Sequence, residues 1–208
     1  MLAVALAILL VTNGPPAHEP AVAAAWQYVD VFDGVHVWSA EETHGYWGHA
    51  RGTVDAPADA IFERVSDFEW LPGRYPFLNA TRIIARDRSS AVVYFHYDLP
   101  WPLSDREHTA AYRWWREPSG VITLAAEDAG ALAPADKDAV HIEGFRVRMK
   151  FAPIREGATT DVEYMFRADF GGTLPRSVRR QTAWKIPLNV ILAIRRSLRA
   201  PSAVGAAR

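Results

Sequence analysis

Two stretches of the chain alternate apolar and polar residues with a period of two. In 145–151, Phe145, Val147, Met149 and Phe151 share one face, and Arg146, Arg148 and Lys150 share the other. In 161–169, Val162, Tyr164, Phe166 and Ala168 lie opposite Asp161, Glu163, Arg167 and Asp169. Because successive strand residues point to opposite sides, this pattern predicts antiparallel strands with one oily and one charged face. Further strand signals fall at 34–39, 46–54, 81–86, 91–97, 107–116, 121–127 and 140–151, with a last one at 159–170. Turn-forming stretches such as "RDRSS", "EPSG" and "IREGA" separate most of them.

The period changes twice. After Asp55 and Pro57, Ile61, Phe62, Val65 and Phe68 recur at helical spacing, and Pro72-Gly73 ends that segment. After "FGGTLP", residues 175–199 read as a long helix that starts at Pro175, where the missing N–H costs nothing. Ala183, Ile186, Val190, Ile194 and Leu198 make its apolar stripe, widened by Trp184, Leu188 and Ile191, and Pro187 is expected to kink it.

The predicted order is two strands, a short helix, five or six antiparallel strands and a long C-terminal helix. This is an α+β architecture in which one oily sheet face must be covered. The last helix is the element long enough to cover it. A curved sheet gripping a helix leaves space between diverging side chains, and such a space lined by Phe, Met, Val and Tyr suits an apolar ligand.

Composition narrows the picture. The 208 residues carry no cysteine, so disulfides, thiolate metal sites and cysteine nucleophiles are excluded. The net charge of −1 offers nothing to nucleic acid as a whole. Its distribution is uneven: the last 34 residues hold eight Lys/Arg and no Asp/Glu, leaving 15 basic and 24 acidic residues in the preceding 174. A basic C-terminal helix on an acidic body suits transient contact with an anionic membrane surface, or complements that body directly.

At the other end, residues 1–11 are all apolar. That is shorter than the roughly 20 residues of a membrane span and the right length for a signal-peptide core. Small residues at 21–25 offer cleavage positions, although no Lys or Arg precedes the apolar run. The expected organisation is a leader at 1–25, a domain at 26–200 and a flexible tail at 201–208. The expected location is periplasmic or secreted, or cytoplasmic if the leader is spurious.

The stretch "LPWPLSDREH" (99–108) gathers most of the candidate chemistry. Asp105, Glu107 and His108 can all move protons, but strand geometry sends Glu107 and His108 to opposite faces. An Arg between two carboxylates is better read as a structural ion cluster of Asp105, Arg106 and Glu107. Metal ligation has weak support: His44 and His49 are five apart, and Asp136, Asp138, His141 and Glu143 straddle a loop and a strand edge. No nucleophile elbow, Walker loop or dinucleotide fingerprint occurs. The tryptophans of "YRWWRE" lack the basic surroundings of a nucleic-acid stacking platform. No catalytic residue, metal, cofactor or nucleic-acid partner is therefore assigned.

Five motifs in order resemble the START (StAR-related lipid-transfer) domains of the helix-grip, Bet v 1-like (SRPBCC) superfamily. They are "DGVHVWS", "GTVDAPADAIFERVSD", "PWPLSDRE", "GGTLPRSV" and "P…IRRSLR", spanning roughly 26–199. The resemblance implies a curved antiparallel sheet wrapped around a C-terminal helix, enclosing a tunnel for one lipid or sterol, without catalysis. Glu107 stands where the family usually has Asp. Tyr112 falls where some sterol carriers bury an Arg, so a sterol-hydroxyl site is not inherited.

The expected function is binding of a lipid, fatty acid or sterol-like ligand and its carriage between membranes. The expected cavity lining is Phe145, Val147, Met149, Phe151, Val162, Tyr164 and Phe166, facing Ile186, Val190 and Ile194, with Trp101 and Tyr94 added. Trp101, on a proline-stiffened loop, faces either the ligand or the membrane. The alternative is a polyketide cyclase or hydrolase on the same fold. That reading needs polar groups such as His96, Tyr94 and Arg113 converging in the pocket.

Overall fold

The computed structural model describes residues 26–42, 45–132, 136–172 and 174–199. The expected leader, the tail and His44 lie outside them. The described elements are β1 (Gln27–Phe32), β2 (Val35–Glu42), β3 (Gly45–Val54), α1 (Ala58–Ser66), β4 (Leu78–Arg86), β5 (Ser90–Tyr97), β6 (Arg106–Arg116) and β7 (Ile122–Asp128). The short β8 (Val140–His141), β9 (Glu143–Ile154), β10 (Thr159–Asp169) and α2 (Arg176–Leu198) follow. Nine strands form one path, β1-β2-β3-β10-β9-β7-β6-β5-β4, and β8 attaches to β6 in parallel. Every pairing along the path is antiparallel.

The alternating stretches behave as their pattern dictates. Phe145, Val147, Met149 and Phe151 of β9 and Val162, Tyr164, Phe166 and Ala168 of β10 are buried, and their charged neighbours point outward. β10 is central, between β3 and β9, so its apolar face carries the middle of the core. β1, absent from the predicted order, is an edge strand whose residues stay largely exposed. Its sequence therefore carries no burial signal to find.

The sheet curls over α2, whose buried side includes Ala183, Leu188, Val190, Ile191 and Ile194. The helix runs through Pro187 as one element. Because proline has no N–H, the Ala183 carbonyl lacks its usual donor four residues on. That carbonyl lies against Gly48 of β3, where an added Cβ would meet the Ala183 oxygen at 1.9 Å. Gly48 thus allows the helix to approach the sheet backbone directly.

Arginines fasten both ends of α2 to the sheet. Arg176 donates two hydrogen bonds from Nη2 to the Glu41 carboxylate, at 2.6 and 2.7 Å, and one from Nε to Tyr46 Oη at 3.0 Å. Near the other end, Arg195 Nε donates to the Thr53 carbonyl at 2.8 Å. Part of the basic C-terminal charge is therefore spent on the protein's own acidic body.

Candidate ligand cavity

Between the concave sheet face and α2 lies a hollow of about 380 Å³. Its wall is built by inward residues of successive strands: Phe95 and Tyr97 of β5, Tyr112 of β6, Leu124 of β7, Phe145, Val147 and Met149 of β9, and Tyr164 and Phe166 of β10. Ile186 and Val190 of α2 form the opposite wall. Phe68, Leu71 and Tyr75, after α1, close one side. Leu99, Pro100 and Leu103 border another.

Seven of the ten expected sheet and helix residues line this hollow: Phe145, Val147, Met149, Tyr164, Phe166, Ile186 and Val190. Phe151, Val162 and Ile194 share the same faces but lie outside the lining, fully buried in the core where helix and sheet close on each other. Periodicity selects a face without saying where along it the two layers separate.

Two expected lining residues lie elsewhere. Trp101 is 92% exposed, so it does not plug the hollow. Tyr94 points to the outer sheet face, because the pairing of Phe95 with His108 turns Phe95 inward and the alternation sends Tyr94 and His96 outward. β5 reads as a nearly continuous apolar run, which leaves its inward face unmarked in the sequence.

The Asp105–Arg106–Glu107 cluster also differs from expectation. Arg106, 4% exposed, pairs with neither neighbouring carboxylate. Its Nε donates to the Phe170 carbonyl at 2.9 Å, and its Nη1 to the carbonyls of Ser104 and Asp105. Asp105 Oδ1 instead accepts from the Leu99 N–H at 3.0 Å, tying the start of the Pro-Trp-Pro loop to β6. Glu107, buried on the outer face, hydrogen-bonds His141 Nδ1 of β8 through Oε1 at 3.0 Å. The stretch is an anchor, but each charged group anchors a different element.

Polar groups do reach the hollow. Arg106, Tyr75, Tyr97, Tyr112 and Tyr164 all line it. Burial pushes all four phenols well above the ordinary tyrosine range, and Tyr97, Tyr112 and Tyr164 are raised further by neighbouring tyrosines. Burial also lowers the Arg106 pKa, against the opposing pull of Asp105. His108, 1% exposed, stacks on Phe95 at 4.7 Å and Phe145 at 4.2 Å, with Tyr97 at 5.7 Å. Neither of its ring nitrogens has a hydrogen-bond partner among the described residues. Desolvation, aided by His141, lowers its pKa to about 3 and keeps the ring neutral.

On the outer face, His96, Asp98 and Asp105 each bring one potential ligand atom within 4.8 Å of the others. His96 lies 3.2 Å from Asp98 and 3.6 Å from Asp136, an arrangement that a pair network accounts for. His49 pairs with Glu163 at 3.0 Å. Asp128 Oδ1 lies 3.8 Å from His141 Nε2 and caps the Gly130 N–H. His96 and Tyr94 therefore do not converge in the hollow with Arg113, which leans over the Trp115 ring.

No protein-family model matches the sequence, and no curated protein matches it. Solved structures do. The STAR-related lipid transfer protein from Xanthomonas axonopodis (fragment 25–204) is 22% identical, with a TM-score of 0.75 over 85% of this chain and 99% of that one. Human STARD10 is 18% identical, with a TM-score of 0.73 over 85% of this chain and 74% of its own. Human StAR-related lipid transfer protein 5 is 17% identical, with a TM-score of 0.66 over 94% of each chain. The chain has the α+β helix-grip fold of the START domains.

Proposed function

We propose that the protein binds one hydrophobic small molecule in the hollow between sheet and α2 and carries it between membranes. The observation that supports this most is the lining itself: an apolar wall of about 380 Å³ in a fold shared with lipid-transfer domains. That size lies at the lower end of the roughly 300–1,000 Å³ of small-molecule sites.

Binding without catalysis is favoured by how the titratable groups at the hollow are tuned. Phenols held well above their usual pKa donate hydrogen bonds but do not act as bases at neutral pH. His108, with a pKa of about 3, is too weak a base to abstract a proton efficiently, and Arg106 stays protonated.

Exchange requires a route to the membrane. Phe77 (56% exposed), Leu103 and Val178 combine solvent exposure with positions on the hollow's lining, and Trp101 stands on the same loop as Leu103. Phe77 has a positive φ of 65°, a costly conformation for an aromatic residue. We read this apolar rim, with the basic C-terminal helix beside it, as the face that meets a lipid surface. The apolar leader supports an exported location, periplasmic or secreted.

The binding test is uptake of fluorescent fatty acids and sterols by delipidated protein. Saturable one-to-one uptake, displaced by unlabelled ligand, is expected. No uptake of any apolar probe would remove the reading.

A further inference from the structure

Arg106 is a buried cation without a buried anion. Among the described residues no carboxylate forms an ion pair with it, and its three hydrogen-bond acceptors are all backbone carbonyls. Asp105, the nearest acidic neighbour in the chain, is turned to the Leu99 N–H. Glu107 is on the opposite strand face, held by His141. The three hydrogen bonds leave from Nε and Nη1, Nη2 lies beside Gly172, and the side chain lines the hollow. A guanidinium taken out of water is stabilised well only when an anion and good hydrogen bonds replace its hydration.

His108 adds a second, independent observation. It lies two residues along β6, on the same inward face as Arg106 and the lining residue Tyr112. It is stacked among Phe95, Tyr97 and Phe145, which all line the hollow, and both its nitrogens lack partners among the described residues. His108 itself lies just behind the lining. Because buried polar groups nearly always have partners, an unpartnered ring two residues from an uncompensated cation points to this end of the hollow as the place for a ligand's polar group.

Resting on the lipid-binding reading above, we propose that the ligand is a single-chain carboxylic acid. Its carboxylate meets Arg106 in the neighbourhood of His108, and its chain lies along the Val147, Met149 and Val190 wall. A carboxylate is the acceptor that a guanidinium pairs with most strongly through its N–H groups. A single positive charge is balanced by a monoanion such as a carboxylate. The apolar wall of the hollow takes the chain.

The test compares dodecanoic acid, 1-dodecanol and methyl dodecanoate on the delipidated full chain at pH 7.4 by calorimetric titration. The acid is expected to bind about tenfold or more tightly than the other two, the effect of one charge-assisted hydrogen-bonded pair. In Arg106→Gln the three affinities should fall within about twofold of one another. Arg106 also holds backbone carbonyls; if loss of these bonds leaves the variant unfolded, the wild-type comparison decides alone. Equal or tighter binding of the alcohol or ester by wild type overturns the carboxylate assignment and leaves the lipid-binding reading standing. Retention of the acid preference by a folded Arg106→Gln also overturns it. Binding of none of the three, together with no uptake of any apolar probe, overturns both.

Discussion

Gly48 of β3 faces the carbonyl of Ala183 in α2 so closely that a single Cβ would stand 1.9 Å from its oxygen. The same carbonyl is the one that Pro187, four residues on, cannot serve with an N–H. A sheet residue without a side chain and a helix residue without its donor thus meet at one point, and that point sets how deeply α2 sits in the sheet. The depth of the helix, in turn, sets the space left beside Val190 and Ile186 for a ligand.

Gly48→Ala is therefore expected to destabilise the protein, because the clash is with backbone and cannot be relieved by a rotamer change. A loss of about 1–3 kcal/mol, typical of overpacking, is expected in urea denaturation with an unchanged m-value.

His108→Phe tests the buried ring. With a folded-state pKa of about 3 against an ordinary 6.5, His108 stays neutral in the native protein while the unfolded chain gains a proton below pH 6.5. Stability from this source is intact above pH 6.5 and is lost as pH falls towards 3, at up to about 1.4 kcal/mol per pH unit. The Phe variant keeps the stack and removes both unpartnered nitrogens. It should be more stable at pH 4 than wild type, with a shallower fall between pH 6.5 and 3 in denaturation curves. An identical pH dependence in both proteins would contradict the account.

Val147→Phe fills the hollow from the β9 wall. Uptake of a fluorescent fatty acid should fall about tenfold or more, while the denaturation midpoint stays within the range of a tolerated core change. Unchanged uptake would place the ligand elsewhere.

Replacing Trp101 and Phe77 together by Ser removes the most exposed aromatic residues of the rim. Stability should change by less than about 0.5 kcal/mol per site, as at other exposed positions. Sedimentation with anionic vesicles should weaken by roughly tenfold, since each ring contributes apolar area to the lipid contact. Vesicle binding equal to that of wild type would remove the rim from the exchange route.

How far the sequence reaches differs from element to element. The inward faces of β9 and β10 are readable because those strands are half exposed, so charge marks the outer face residue by residue. β5 offers no such contrast, and Tyr94 is turned outward by register with β6, a long-range pairing that no local pattern records. Arg106 shows a similar limit. Its partners are the carbonyls of Phe170, Ser104 and Asp105, and backbone carbonyls leave no trace in residue identity. The choice between Phe151 in the core and Phe145 at the hollow depends on where α2 lifts off the sheet, which is a property of curvature.

The central claim is that the hollow holds an apolar ligand, and native mass spectrometry of the freshly purified full chain, followed by organic extraction, tests it most directly. The account predicts a one-to-one complex heavier than the bare chain by the mass of a single-chain lipid, and that lipid in the extract. Protein found only at its bare mass, with no lipid extracted and none taken up on incubation, would contradict it.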